Sequence, residues 1–179
     1  MNEFLRWDTL VSLGLWLLIA GLTILIRMLP LSIPEGSLPR PDFLLTLTLA
    51  WVLRRPAHLP AIAIVAVFLI EDLFLFRPPG LWALMVLAGT EFLRRRQSVV
   101  REMHIFLEWA LVSAVIVAMF VGNRLGLVIV MSPRPPLDLS LIQLVFTLAS
   151  YPLVVWGLQS LLRVRKAATG EVDDLGRKV

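Results

Sequence analysis

Between Arg40 and Arg96 the chain reads RPDFLLTLTLAWVLRRPAHLPAIAIVAVFLIEDLFLFRPPGLWALMVLAGTEFLRRR. Three apolar segments are fitted into this stretch, and the turns between them alternate in character. Arg54 and Arg55 make a doubly basic turn, Pro78, Pro79 and Gly80 a tight corner, and Arg94, Arg95 and Arg96 a triply basic turn. Apolar segments joined by alternating basic turns are the pattern of a polytopic membrane protein. The whole chain agrees, because 58% of its 179 residues are hydrophobic against about 45–50% in a soluble domain. Mean hydropathy is +0.83, so the excess has to face lipid. In lipid the backbone must satisfy its own hydrogen bonds, and the expected fold is all-α. No polar stretch is long enough for a second domain, so one membrane domain is expected over 1–179, with a short tail at 163–179.

Six apolar segments follow one another at about 10–29, 42–53, 59–76, 81–93, 105–131 and 137–162. Crossing a hydrocarbon core takes about 20 helical residues, so the second and fourth are short. They either recruit flanking residues or are shielded by protein, since unpaired backbone cannot face lipid. The fifth is long enough to tilt or to extend beyond the membrane. With the amino end in the cytoplasm, the inner junctions hold Arg6, Arg54, Arg55, Arg94, Arg95, Arg96, Arg101, Arg163, Arg165, Lys166, Arg177 and Lys178. The outer ends hold only Arg27, Arg40, Arg77 and Arg134, and Arg124 lies within a span. That asymmetry predicts six spans with both termini cytoplasmic. The outer loops, Pro30–Pro41, Arg77–Gly80 and Ser132–Pro136, are short and proline-rich, which makes them corners between spans.

Several function classes fall away. The +4 net charge is carried at span ends, where topology places it, and no basic soluble surface is present to read nucleic acid. Cysteine is absent, which removes disulfides and thiolate chemistry. The first apolar run exceeds a signal-peptide core and is expected to be retained as a span. His58 and His104 stand at span junctions without partners at metal-ligand spacing, so no metal or cofactor is expected. No Ser-His pair shares a span, and neither Gly-x-Ser-x-Gly nor His-Glu-x-x-His occurs, so the chain is expected not to be an enzyme. Trp7, Trp51, Trp82, Trp109 and Trp156 fall mostly near span ends, as interfacial anchors do.

Intramembrane charge is costly, so the polar residues inside spans are the candidate site. Glu71 and Asp72 stand near the outer end of the third span, where they either reach water or turn inward to an arginine, Arg124 or Arg77. Adjacent helical residues diverge by about 100°, so the two cannot fill one inward slot. Asn123 and Arg124 lie inside the fifth span. Arg124 either snorkels outward or pairs with Asp42, Glu71 or Asp72 in the same leaflet. Asp42, Glu71, Asp72, Arg77, Asn123 and Arg124 are thus expected to form an outer polar cluster. Ala118, Gly122 and Gly126 make a small-residue stripe that admits a second helix closely, from this chain or from a second copy in a homodimer. Glu91 and Glu108 can make weak interfacial pairs with the neighbouring arginines. The basic junctions at Arg54, Arg55 and Arg94–Arg96 set topology, and they can also meet anionic lipid or a cytoskeletal partner.

The stretch from Arg40 to Arg96 resembles MreD, the polytopic rod shape-determining family of bacteria, in its alphaproteobacterial form. Pro41 and Asp42 open the second span, and Trp51, Arg54, Arg55 and Pro56 close it. Asp72 precedes the corner at Pro79, Gly80, Leu81, Trp82 and Ala83, and Arg94–Arg96 end the fourth span. A looser similarity runs on through Tyr151 and Pro152. Where the family has a glycine-rich approach to its acidic residue, this chain has Val67, Phe68, Leu69, Ile70 and Glu71, with Asp72 at the family position. The resemblance implies a multi-pass, non-enzymatic scaffold subunit of the elongation complex in the bacterial inner membrane, regulating cell shape and peptidoglycan synthesis. Its implied partners are MreC, RodA with its class B penicillin-binding protein, and MreB directly or indirectly. The family architecture is similar to the substrate-binding subunits of energy-coupling-factor transporters. An alternative function is therefore a small-molecule-binding subunit of a vitamin-type transporter.

Overall fold

A computed structural model describes residues 7–29 and 40–160, and among these all regular structure is helical. Seven α-helices occur: α1 Trp7–Met28, α2 Phe43–Arg54, α3 Ala61–Phe74, α4 Leu81–Arg95, α5 Gln97–Glu102, α6 Ile105–Ile129 and α7 Leu137–Ser160. A 3-10 turn, Pro56–His58, links α2 to α3. Each of the six apolar segments forms a helix. The last two residues of the sixth segment, the 163–179 tail, Arg6 and residues 30–39 of the first outer loop lie outside the described residues.

Among the described residues three helices are long and apolar enough to cross a membrane: α1 over Thr9–Met28, α6 and α7. Only 22%, 28% and 28% of their most apolar stretches are buried, so lipid is the surrounding these helices suit. Helices α2, α3 and α4 have 12, 14 and 15 residues, fewer than the ~20 needed to cross alone. The structure shows how the shortest is accommodated. Every residue of α2 from Leu44 to Arg54 is buried, so α2 runs through the middle of the bundle and presents no backbone to lipid. It packs chiefly on α7 and α4, while α3 lies on α4, and α4 on α6. Trp16, Leu45, Trp51, Phe68 and Tyr151 are the large side chains at the centre of this core.

Helix α5 interrupts what reads in sequence as a plain basic junction. Its six residues carry no apolar stripe of their own. Only Val100 is buried, and that side chain anchors the turn to the core.

Two helix ends shape one end of the bundle. Helix α3 ends with Phe76 in the left-handed region (φ 52°), the Arg77 amide donating to the Asp72 carbonyl and the Phe76 amide to the Leu73 carbonyl. Helix α6 ends the same way, with Met131 at φ 53°, the Ser132 amide donating to Leu127 and the Met131 amide to Val128. Both are Schellman turns, and both use a non-glycine residue where glycine is usual. The left-handed conformation costs an L-residue about 1–2 kcal/mol, and here it turns the 77–80 and 132–136 loops over the end of the bundle.

Candidate functional site

The predicted polar cluster is present in part, but around a different arginine. Arg27, from the last turn of α1, donates to Glu71 of α3 and pairs with Asp42 at 2.9 Å. Asp42 caps α2 as well, since its Oδ1 accepts from the Leu45 amide at 3.0 Å. The Asp42 amide in turn donates to the Thr147 hydroxyl of α7 at 3.0 Å. One guanidinium and one capping carboxylate therefore join α1, α2 and α3, with α7 fastened alongside. Glu71 is fully buried and Asp42 is nearly so; of the two readings open for Glu71, reaching water or turning inward to an arginine, the fold has the second, with Arg27 in place of Arg124 or Arg77.

Glu71 and Asp72 do diverge around α3, and both turn inward, into separate slots. Asp72 accepts through Oδ2 from the amides of Gly80 at 3.1 Å and Ala83 at 3.3 Å. Gly80, at φ 87°, makes the corner before α4 and has no side chain to cap it. Asp72 supplies that acceptor from the preceding helix, at the positive end of the α4 dipole.

Arg124 pairs with none of Asp42, Glu71 or Asp72. Its guanidinium donates to the Pro135 carbonyl at 3.3 Å and lies 5.8 Å from the centre of the Phe120 ring. The physical reason is that Arg27 already fills the slot between the two carboxylates, leaving Arg124 to tie the 132–136 loop to its own helix. Arg77 and Asn123 are half-buried and make no side-chain hydrogen bond or ion pair among the described residues. With Asp42, Arg124 and Arg134 they line a cavity of about 510 Å³ at this end of the bundle, between the loops and α2, α4, α6 and α7.

A second polar centre lies at the other end of α2, where the sequence reading expects only a weak interfacial pair between Glu108 and a neighbouring arginine and assigns Tyr151 no part. Arg54 ends α2, but its guanidinium turns back one turn to the Ala50 carbonyl at 3.0 Å and meets Glu108 of α6 at 3.0 Å. The Tyr151 hydroxyl of α7 donates to the same Glu108 Oε1 at 2.7 Å. Arg54, Glu108 and Tyr151 are all buried, so this is no interfacial pair and Arg54 is no exposed junction. Next to it, Pro152 has no amide to offer the Leu148 carbonyl, and the Trp109 indole donates there at 2.9 Å instead. The signal available in sequence was a glutamate and the chain's single tyrosine, each inside an apolar span.

The other predicted residues serve packing and the basic end. A Cβ at Gly122 would come 2.9 Å from Met85 Sδ, and one at Gly126 2.5 Å from Leu81 Cδ1, so these glycines admit α4 of the same chain. Ala118 is exposed and outside that seam, which continues instead through Gly89 of α4 against Met119 and Val115. Arg94 donates to the Leu59 carbonyl at 2.8 Å and reaches Glu91 at 3.3 Å, fixing α4 to the turn before α3. Arg95 and Arg96 are exposed, Arg96 4.5 Å from the centre of the Phe92 ring, and Arg55 is half-buried. Among the described residues no group of three His, Cys, Asp or Glu side chains is placed to hold a metal ion. Comparison with protein-family models, with curated proteins and with solved structures gives no match for this chain.

Proposed function

We propose that this chain is a non-enzymatic scaffold subunit of the bacterial rod complex, with six spans and both termini on the cytoplasmic side of the inner membrane. One observation carries the reading. Among the described residues each of the buried charged side chains, Asp42, Arg54, Glu71, Asp72 and Glu108, is engaged in holding one helix to another or to a helix end. The costly groups inside the bundle brace it, and they do not converge on a point where a substrate bond would be broken. A braced bundle whose long helices expose Leu18, Leu25, Val145 and Leu153 offers apolar faces to neighbouring spans as well as to lipid. The resemblance of Arg40–Arg96 to MreD names those neighbours: MreC, RodA with its class B penicillin-binding protein, and MreB directly or through them.

Depletion in a rod-shaped host and purification of the tagged chain from its membrane test the proposal together. Rounded cells and stable recovery with an MreC-type partner are expected. Unchanged shape with a new vitamin requirement overturns the scaffold reading. That second reading, a small-molecule-binding subunit of a vitamin-type transporter, is favoured by the cavity beside Asn123. It requires a water-soluble ligand that stays with the purified protein.

A further inference from the structure

We infer that the cavity between the 77–80 and 132–136 loops is a binding site for an anionic amphiphile, a phosphate- or carboxylate-headed molecule with an apolar tail. Three arginines, Arg77, Arg124 and Arg134, line it. The one carboxylate in its wall, Asp42, is already taken by Arg27 at 2.9 Å. Arg77 also stands within electrostatic reach of Glu71 and Asp72 of α3, so among the described residues the positive charge left without a carboxylate is that of Arg124 and Arg134. Arg77 and Arg134 donate to no acceptor among the described residues, and Arg124 spends one bond on the Pro135 carbonyl. On the proposed topology these arginines stand on the translocated side, where the positive-inside bias disfavours them. Orientation therefore does not account for three of them around one cavity.

Below the charges the walls are apolar: Leu45, Trp82, Ile116, Phe120 and Leu144 line the same space. A volume of about 510 Å³ falls within the ~300–1,000 Å³ of small-molecule sites and holds a headgroup with the first part of a tail. The rim is apolar too. Phe76 lines the cavity mouth at 97% exposure, on the left-handed residue that turns its loop. Charge at the loops, apolar walls beneath and an exposed apolar rim match a molecule that arrives from the bilayer rather than from water.

The test is native mass spectrometry of the full chain in neutral detergent, titrated separately with phosphatidylglycerol, phosphatidylcholine and inorganic phosphate. Phosphatidylglycerol is expected to bind at least about tenfold more tightly than phosphatidylcholine, a difference readily resolved. Arg77→Gln combined with Arg134→Gln is expected to remove that preference, and Leu144→Trp to block the tail and abolish lipid binding with the arginines intact. Arg134 lies on an exposed loop, so Arg134→Gln alone reports on the site if the double variant fails to fold. Equal binding of the two lipids, or a preference that survives both arginine changes, overturns the site. Tight phosphate binding that Leu144→Trp leaves untouched overturns the amphiphile and identifies the free anion as the ligand. The scaffold reading is independent, because cell shape and partner recovery are read in a separate experiment.

Discussion

Arg54 and Glu108 stand 54 residues apart in the chain and 3.0 Å apart in the fold, with neither side chain exposed. The pair fastens the central helix α2 to α6, and Tyr151 brings α7 onto the same carboxylate oxygen. Removing one partner strands the other charge in a medium that cannot solvate it, which costs about 3–5 kcal/mol. Removing both charges deletes the desolvation cost together with the attraction. Glu108→Leu or Arg54→Met alone is therefore expected to lose about 3–5 kcal/mol in denaturant unfolding in micelles. The double variant with Tyr151→Phe, which spares the hydroxyl an empty pocket, should recover most of that loss. Losses that simply add would mean the three groups do not act as one unit.

Arg27 and Arg124 make a second contrast. Arg27→Gln leaves Asp42 and Glu71 together without their cation, and a loss of about 3–5 kcal/mol is expected. Glu71→Gln is milder, because Arg27 keeps Asp42 at 2.9 Å. Arg124→Gln removes one exposed bond to a carbonyl, worth about 0.5–1.5 kcal/mol. In double-mutant cycles Arg27 and Glu71 should couple by about 0.5–3 kcal/mol, while Arg124 and Asp72 should add to within about 0.5. A reversed order would return Arg124 to the centre of the cluster.

That contrast shows how far this fold can be read from its sequence. Long apolar runs impose long helices, so α1, α6 and α7 were legible, as was the presence of carboxylates that have to be placed somewhere. Choosing their partner requires the rotation of each helix, and Arg27, Arg77 and Arg124 all stand near the same end of the spans. In sequence an arginine that closes a span looks the same whether it snorkels outward or turns back. Arg54 turns back to the Ala50 carbonyl, and only the packing of α2 on α6 and α7 decides that. Helix α5 is short and polar, with no periodicity to show it. The cavity was illegible for a different reason. Its roof depends on left-handed turns at Phe76 and Met131, where no glycine marks the bend.

The α4–α6 seam yields an ordering of glycine substitutions. A Cβ at Gly89 would meet Met119 Sδ at 2.5 Å and the stiff Val115 Cγ1 at 3.2 Å. At Gly122 the one tight neighbour is the end of a flexible side chain, Met85 Sδ at 2.9 Å. Gly21 has nothing within 4 Å. Gly89→Ala is expected to cost about 1–3 kcal/mol through overpacking, and Gly122→Ala less. Gly21→Ala should stabilise α1 by about 0.5–1 kcal/mol, because alanine loses less backbone entropy in a helix. Unfolding midpoints of the three variants in one detergent check the order, and an equal loss at Gly21 would show that α1 meets a neighbour outside this chain.

Asp72 caps the start of α4 from the preceding helix. Gly80 has to take φ 87° to make the corner, so it cannot supply the capping oxygen itself. Asp72 reaches both the Gly80 and Ala83 amides through a single oxygen, Oδ2. Asp72→Ala is expected to lose about 0.5–2 kcal/mol, the range for a deleted cap. Asp72→Asn keeps an acceptor and loses only the charge facing the helix dipole, a smaller cost of about 0.3–1 kcal/mol. Amide hydrogen exchange gives the local readout: Ala83 and the first turn of α4 should lose protection in Asp72→Ala and keep most of it in Asp72→Asn. Equal loss in both would show that charge, and not the accepted hydrogen bonds, holds the start of α4.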